Sequence, residues 1–118
     1  MKEKIRNTTI KDAGFGYALK LIGGNFRLPI LYTLMEYECV RFNEMRRYIE
    51  DISSRSLTMC LREMEEDGLV IRNEVSHFPL CVEYTLTDYA KTLCSILDEI
   101  TEWGDRNRKD TDKENESI

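Results

Sequence analysis

The sequence predicts a fold that is mainly α with a small β-wing. Apolar residues recur at helical spacing across 42–67, with one interruption at 51–53. After Gly68 the apolar residues alternate with polar ones, which is typical of a β-hairpin. Helical spacing returns at 87–103. Two short helices joined by a tight turn, followed by a hairpin and a long helix, indicate a winged helix-turn-helix domain.

The bulk composition predicts one globular domain located in the cytoplasm. The chain has 118 residues, of which 42% are hydrophobic and 33% are charged. No apolar run is long enough to span a bilayer, and the start, MKEKIRNTTIKD, lacks the apolar core of a signal peptide, so we expect no membrane association. The formal net charge of −5 argues mildly against nucleic acid. The distribution of charge argues the other way, because arginines concentrate in residues 41–62, at Arg41, Arg46, Arg47, Arg55 and Arg62.

The N-terminal third is predicted to hold a flexible arm, two helices and a short strand. The polar residues 1–12 form the arm. The first helix ends at Gly23-Gly24 and the second begins at Asn25. Their predicted buried faces are Phe15, Ala18, Leu19 and Ile22 in the first helix, and Phe26, Ile30, Leu31, Leu34 and Met35 in the second. After a loop at 36–39, residues 40–42 predict the strand.

Capping residues define the central pair of helices. Asn43 is expected to cap a first helix over Glu44–Ile49. Ser53 is expected to cap the second, because its hydroxyl can accept an orphan amide hydrogen bond. The second helix then runs to Asp67 and stops at Gly68, since glycine adopts the left-handed conformation at low cost.

The second helix of the pair has two different faces. Its inward face is apolar and consists of Leu57, Cys60, Leu61 and Met64. Its outward face carries hydroxyls and guanidinium groups at Ser54, Arg55, Thr58, Met59 and Arg62, while acids crowd the far end. A recognition helix needs this polarity, because its N-terminal half enters the DNA major groove. The alternative is an ordinary amphipathic helix with a solvated face.

The hairpin after Gly68 is predicted to be the wing. Its tip falls at 76–80 and contains Pro79. Arg72 and His77 are the wing residues with hydrogen-bond donors that could reach DNA. The alternative for His77 is a solvent-exposed tip residue without a partner.

The last predicted helix is capped by Thr87 and continues to about Trp103. Its apolar residues form two stripes, more than one small domain needs to cover one helix. We therefore expect one stripe to dock on its own domain and the other to meet a second copy in a two-fold dimer. The predicted interface is Tyr89, Leu93, Ile96, Leu97, Ile100 and Trp103. The alternative is a helix buried wholly within the monomer, and residues 105–118 are predicted to be a disordered charged tail.

The four cysteines are widely separated, at Cys39, Cys60, Cys81 and Cys94. Their spacing and the single histidine predict no metal site, no disulfide framework and no cofactor. The favoured interpretation is reduced, partly buried thiols, and the alternative is redox sensing through Cys81 or Cys39. No nucleophile–base pair or phosphate loop is visible, so an enzyme is not predicted.

Several strings, in this order of elements, resemble the HxlR family of winged helix-turn-helix regulators, which are relatives of the MarR group. They are LIGGNF (21–26), RFNEMR (41–46), LREMEEDGLV (61–70), VEYTLT (82–87) and the closing EWG (102–104). The resemblance covers about residues 14–104, and the domain that it implies spans residues 13–104. It implies a prokaryotic, homodimeric regulator that binds double-stranded DNA, often as a repressor, with dimerisation helices at both ends of the domain.

The chain departs from the family pattern at three places. Asn25-Phe26 stands where the family usually has Lys-Trp, and the region around Asp12–Phe15 lacks the Cys-Pro found in many members. Cys81 replaces the usual wing arginine, which removes a cation and adds a thiol.

The predicted DNA contacts fall into three groups. The first group would contact bases and phosphates from the second helix of the pair and consists of Arg55, Arg62, Ser54, Ser56, Thr58 and Met59. The second group would position the phosphate backbone and consists of Arg41, Arg46 and Arg47. The third group would contact DNA from the wing and consists of Arg72 and His77. The alternative is a winged-helix module that binds protein without DNA. No residue pattern identifies a small-molecule effector.

Overall fold

The computed structural model describes residue 5 and residues 7–108. A 3-10 turn at Ile10–Asp12 precedes the regular elements. These are α1 (Gly14–Ile22), α2 (Arg27–Tyr37), β1 (Val40–Arg41), α3 (Phe42–Ile49), α4 (Ser54–Glu66), β2 (Val70–His77), β3 (Leu80–Leu86), α5 (Asp88–Lys91) and α6 (Cys94–Asn107). This is the predicted mainly helical fold with a small sheet.

One apolar core joins α2, α3 and α4 to the sheet. The fully buried side chains include Leu31, Met45 and Leu57, one from each of the three helices. Leu57, Leu61 and Met64 are all buried, which confirms the predicted inward face of α4. Because that face is fixed by burial, the opposite face of α4 is directed to solvent.

The sheet is antiparallel, with the strand order β1-β3-β2. Val40 lies opposite Tyr84, and Arg41 lies opposite Glu83. The β2–β3 hairpin is the predicted wing, but its tip is shorter than the predicted 76–80, because His77 still pairs with Leu80. Only Phe78 and Pro79, joined by a cis peptide bond, lie between the strands.

The start of α3 differs from the sequence prediction. The helix begins at Phe42, and its N-cap is Arg41, not Asn43. The backbone N–H of Arg41 donates to Glu44 Oε1 at 2.9 Å. This carboxylate satisfies a group at the helix start, so the helix can begin two residues earlier than predicted. The strand accordingly ends at Arg41.

The second helix of the pair is capped as predicted. Ser53 Oγ accepts a hydrogen bond from the Ser56 N–H at 3.0 Å. Ile52 is buried in the turn, which anchors the connection to the core. At the far end Gly68 adopts a φ of +77°, which an L side chain rarely adopts. The turn before α4 and the two ends of α4 are therefore those that the sequence indicates.

The predicted single helix over 87–103 is wrong in one respect, because it is divided at residues 92–93 into α5 and α6. The Thr92 hydroxyl donates to the Tyr89 carbonyl at 2.6 Å, and the Leu93 N–H donates to the Ala90 carbonyl at 2.9 Å. These three-residue spacings tighten the chain where a regular helix would continue.

Both ends of the domain are more ordered than predicted. Residues 10–12 form a turn against α1, and a Cβ at Gly16 would collide with the Ile10 carbonyl oxygen. At the other end α6 continues to Asn107, whose side-chain amide donates to the Trp103 carbonyl at 2.8 Å, so residues 105–107 do not belong to a disordered tail. Residues 1–4, 6 and 109–118 of the predicted arm and tail lie outside the described residues.

The predicted buried stripe of α1 is also wrong in part. Phe15 is 62% exposed and Leu19 is 45% exposed. Only Ala18 and Ile22 of that stripe are half-buried. The domain therefore leaves apolar side chains of α1 uncovered in the single chain.

Candidate nucleic-acid interface

The outward face of α4 carries two exposed arginines. Arg55 and Arg62 are seven residues apart, so they lie on one side of the helix, about two turns and 10 Å apart. Ser54, Thr58 and Met59 lie between and beside them, and all are exposed. An exposed helix face with this mixture can offer donors to phosphate or base edges and an apolar contact to a thymine methyl.

Two of the predicted hydroxyl contacts need refinement. Ser56 is exposed, but like Ser54 it lies about 100° around α4 from Arg55, on the other side of that arginine. The Thr58 hydroxyl donates to the Ser54 carbonyl at 2.8 Å. Its proton is therefore engaged, and Thr58 is left to accept a hydrogen bond, not to donate one.

The arginines of this surface divide into paired and unpaired groups. Within residues 7–108, no ion pair engages Arg46, Arg47, Arg55 or Arg62, all of which are exposed. Arg41, by contrast, lies 3.7 Å from the Glu83 carboxylate across the strand pair. The unpaired guanidinium groups lie on α3 and α4, so positive charge is concentrated on the helix pair.

Sequence reasoning missed Arg27, the first residue of α2. Its guanidinium lies 2.7 Å from Asp67, 3.6 Å from Glu63 and 2.7 Å from the Leu21 carbonyl oxygen, and its side chain is only 14% exposed. These contacts tie α2 to the acidic end of α4. They also offset the negative charge of the acids that follow Arg62 at the end of α4. The only sign of this role in the sequence is that Arg27 is an arginine in an otherwise apolar stretch.

We expect Arg27→Ala to lower the free energy of unfolding by about 1–3 kcal/mol, because charge-assisted hydrogen bonds are lost and two carboxylates lose their partner. Urea unfolding followed by circular dichroism measures the change. Lys20→Ala removes an exposed charge from α1 and should change stability by less than about 0.5 kcal/mol. Equal values for the two variants would mean that Arg27 does not tie α2 to α4.

The wing carries little free positive charge. Glu74 holds both predicted wing donors, since its carboxylate lies 3.0 Å from Arg72 and 3.4 Å from His77. His77 therefore has an acidic neighbour, whereas the alternative interpretation from the sequence was an exposed tip residue without a partner. The tip itself is apolar, and Phe78 is 96% exposed.

Glu74→Gln should strengthen DNA binding about two- to fivefold, because it removes a negative charge from the wing and releases Arg72 toward phosphate. Fluorescence anisotropy with a labelled duplex at fixed salt measures the change. In the Arg72→Ala background the same substitution should give a smaller gain. Unchanged or weaker DNA binding by Glu74→Gln would show that the wing is not part of the surface that contacts DNA.

The predicted dimer residues lie in three environments. Tyr89, Ile96, Ile100 and Trp103 are exposed, with Ile100 at 55% and Trp103 at 63%. Leu93 is half-buried against the core. Leu97 is buried in the core of its own domain, so its inclusion in the interface was wrong. The hydrogen bond with the Tyr17 phenol raises the pKa of Tyr89 and connects α5 to α1.

The cysteines are all free thiols. Cys39 is exposed, and a hydrogen bond to the Glu83 carboxylate, followed by burial, raises the pKa of its thiol. Because the thiolate is the reactive form, this environment makes Cys39 a poorer nucleophile at neutral pH. Cys81 is half-buried opposite Ser76 in the wing. Redox sensing through Cys81 or Cys39 stays a prediction.

The described part of the chain holds neither a membrane-spanning helix nor a metal-ligand cluster. No helix there has the length and apolarity that crossing a bilayer requires. No three histidine, cysteine, aspartate or glutamate side chains in the same part come together as ligands for a metal ion.

Comparison with known proteins identifies the family. A family model described as HxlR-like helix-turn-helix matches residues 21–112. An uncharacterised HTH-type transcriptional regulator from Halalkalibacterium halodurans is 47% identical over 107 residues, which cover 91% of this chain and 93% of that protein. The HTH-type transcriptional regulator YdzF from Bacillus subtilis is 43% identical over 94 residues, covering 80% of this chain and 86% of YdzF.

The fold agrees with a solved structure of the same kind. The redox regulator HypR in its oxidised form superposes with a TM-score of 0.75 and 38% sequence identity, covering 82% of this chain and 99% of that one. The chain therefore belongs to the HxlR-like helix-turn-helix family of transcriptional regulators.

Proposed function

We propose that the protein is a homodimeric repressor that acts in the cytoplasm and binds a pseudo-palindromic operator in double-stranded DNA. The observation that carries the proposal is the group of unpaired arginines on α3 and α4, namely Arg46, Arg47, Arg55 and Arg62. A net charge of −5 would otherwise oppose the approach to phosphate. These four arginines lie on the helix pair that a helix-turn-helix protein presents to DNA.

Each helix of the pair has its own task in this proposal. α4 enters the major groove with its N-terminal half, so Arg55 lies near base edges and Arg62 lies closer to the groove wall. α3 crosses the backbone, and Arg46 and Arg47 in its last turn contact phosphates. Arg41 contributes less, since Glu83 shares its charge.

Two copies pair through the apolar side chains that the single chain leaves uncovered. On α6 these are Ile96, Ile100 and Trp103, and on α1 they are Phe15 and Leu19. Exposed apolar stripes on two terminal helices are typical of surfaces that meet another protein. A two-fold axis between the copies places the two α4 helices about 34 Å apart, one turn of DNA.

A salt titration tests DNA binding most sharply. If Arg46, Arg47 and Arg62 in each of two protomers contact phosphates, log K should fall against log salt concentration with a slope of roughly −5. Arg46→Ala with Arg47→Ala should reduce the magnitude of the slope by about 3–4, because four phosphate contacts are lost in the dimer. A flat slope for the unmodified protein would favour the alternative of a winged-helix module that binds protein.

A further inference from the structure

A cavity of about 340 Å³ opens between α2 and α3, outside the proposed DNA surface. Its lining residues are Thr33, Tyr37, Cys39, Val40, Glu44 and Tyr48. The two tyrosine rings have centroids 5.2 Å apart and planes inclined at 78°. Two nearly perpendicular rings form a corner with aromatic walls.

Both rings are accessible from solvent. Tyr37 is 57% exposed and Tyr48 is 48% exposed. The floor beneath them is closed, because Thr33 and Val40 are buried and the Thr33 hydroxyl donates to the Pro29 carbonyl at 2.8 Å. The cavity thus has a fixed apolar base and an open side through which a small molecule could enter.

The third wall of the cavity is the Glu44 carboxylate. Glu44 Oε1 is held by the Arg41 backbone N–H at the start of α3, which fixes the orientation of the carboxylate. Oε2 has no hydrogen-bond or ion-pair partner among the described residues. A fixed carboxylate with a free oxygen next to two aromatic rings favours positive charge, and it disfavours anions.

The Tyr48 phenol carries no charge at neutral pH. Burial, and next the hydrogen bond with the Tyr37 phenol, raises the pKa of Tyr48 to about 12, and the Glu36 carboxylate adds to this effect. Neutral phenol rings present the negative face of their quadrupole, which attracts cations within about 6 Å of the ring centroid.

We propose that this cavity binds a small organic cation with an alkylated ammonium group. The cation lies against the faces of Tyr37 and Tyr48, and Glu44 supplies the opposite charge. A neutral aromatic molecule would use the rings but not the carboxylate, and an anion would be repelled by it. Binding at this cavity does not depend on the proposed operator binding, so either one can fail without the other.

Choline and its uncharged isostere 3,3-dimethylbutan-1-ol are the probes. Isothermal titration of the full chain, with NMR of ring-labelled tyrosine, should give saturable choline binding that shifts the Tyr37 and Tyr48 signals. The uncharged isostere should bind at least about fivefold more weakly, since it lacks the cation–π and carboxylate interactions.

Matched variants locate the site. Tyr48→Leu and Tyr37→Leu should each weaken choline binding by between about twofold and about thirtyfold, whereas Tyr48→Phe, which keeps the ring, should stay within about twofold. Glu44→Gln keeps an oxygen for the Arg41 N–H and should also weaken choline but not the isostere. Thermal unfolding of each variant establishes that it is folded.

Three results would overturn the proposal. They are the absence of saturable choline binding, equal binding of choline and the isostere, and unchanged choline binding by both folded leucine variants.

Discussion

Ile100→Asp should convert the protein from a dimer to a monomer and weaken operator binding by about 100-fold or more. Ile100 is 55% exposed in the single chain and lies beside Ile96 and Trp103 on α6. In the proposed dimer the substitution places two carboxylates in an apolar interface, and neither has a partner. A monomer binds only one half-site, so the gain from simultaneous binding at two half-sites is lost. Light scattering measures the molar mass of the protein in solution. Fluorescence anisotropy of a labelled operator measures the affinity for DNA.

Ser95→Asp is the matched control for that experiment. Ser95 is exposed on α6 but lies about 140° around the helix from Ile100. The Ser95→Asp substitution adds the same charge to the same helix. It should leave both the molar mass of the dimer in solution and the affinity for the operator unchanged. A dimeric Ile100→Asp protein with full affinity would show that α6 does not form the interface.

Arg55→Ala should cost about 1–3 kcal/mol of operator binding, which is roughly a 5- to 150-fold loss of affinity. Arg55 lies in the first turn of α4, is exposed and has no ion-pair partner in the described chain. Nothing in the folded domain competes for its guanidinium, so the loss should appear in DNA binding and not in stability. Titration of the operator at fixed salt measures it.

Lys91→Ala controls for the loss of one positive charge. Lys91 is exposed on α5, at the opposite end of β3 from the wing tip. This variant should change affinity by less than about twofold, because its contribution to the field at the DNA is screened beyond about 10 Å. If Arg55→Ala and Lys91→Ala lose equal affinity, Arg55 makes no direct contact.

The sequence could predict elements that depend on nearby residues. The periodicity of α4, its Ser53 cap and its end at Gly68 are local signals, and all three are present in the structure. The alternation in the wing was likewise sufficient to predict the hairpin. Local patterning succeeds here because a buried stripe, a cap and a left-handed glycine act within one or two helical turns.

Other features depend on side-chain contacts that the local sequence pattern does not predict. Asn43 is a better N-cap than Arg41 by residue type, yet Glu44 reaches back to the Arg41 N–H and moves the helix start. The break at 92–93 falls in a sequence that continues the helical spacing, so the local pattern does not indicate it. Leu97 shares the spacing of both apolar stripes, so only packing could assign it to the core.

The charge of the candidate site could be predicted only in part. The sequence places arginines in 41–62, but it does not tell which of them are neutralised. Arg41 meets Glu83 across two strands, and the acids at the end of α4 meet Arg27 from α2. These partners are separated by 36 or more positions in the sequence, so no local pattern indicates them.

Methylation protection of guanine N7 atoms in the operator tests the central claim most directly, because N7 lies in the major groove. The account predicts two clusters of protected guanines, related by two-fold symmetry and centred about 10 base pairs apart. Both clusters should disappear together in Ile100→Asp at concentrations that saturate the unmodified protein. A single asymmetric cluster, or no protection of any duplex at low salt, would contradict the proposal that a dimer places two α4 helices in successive major grooves.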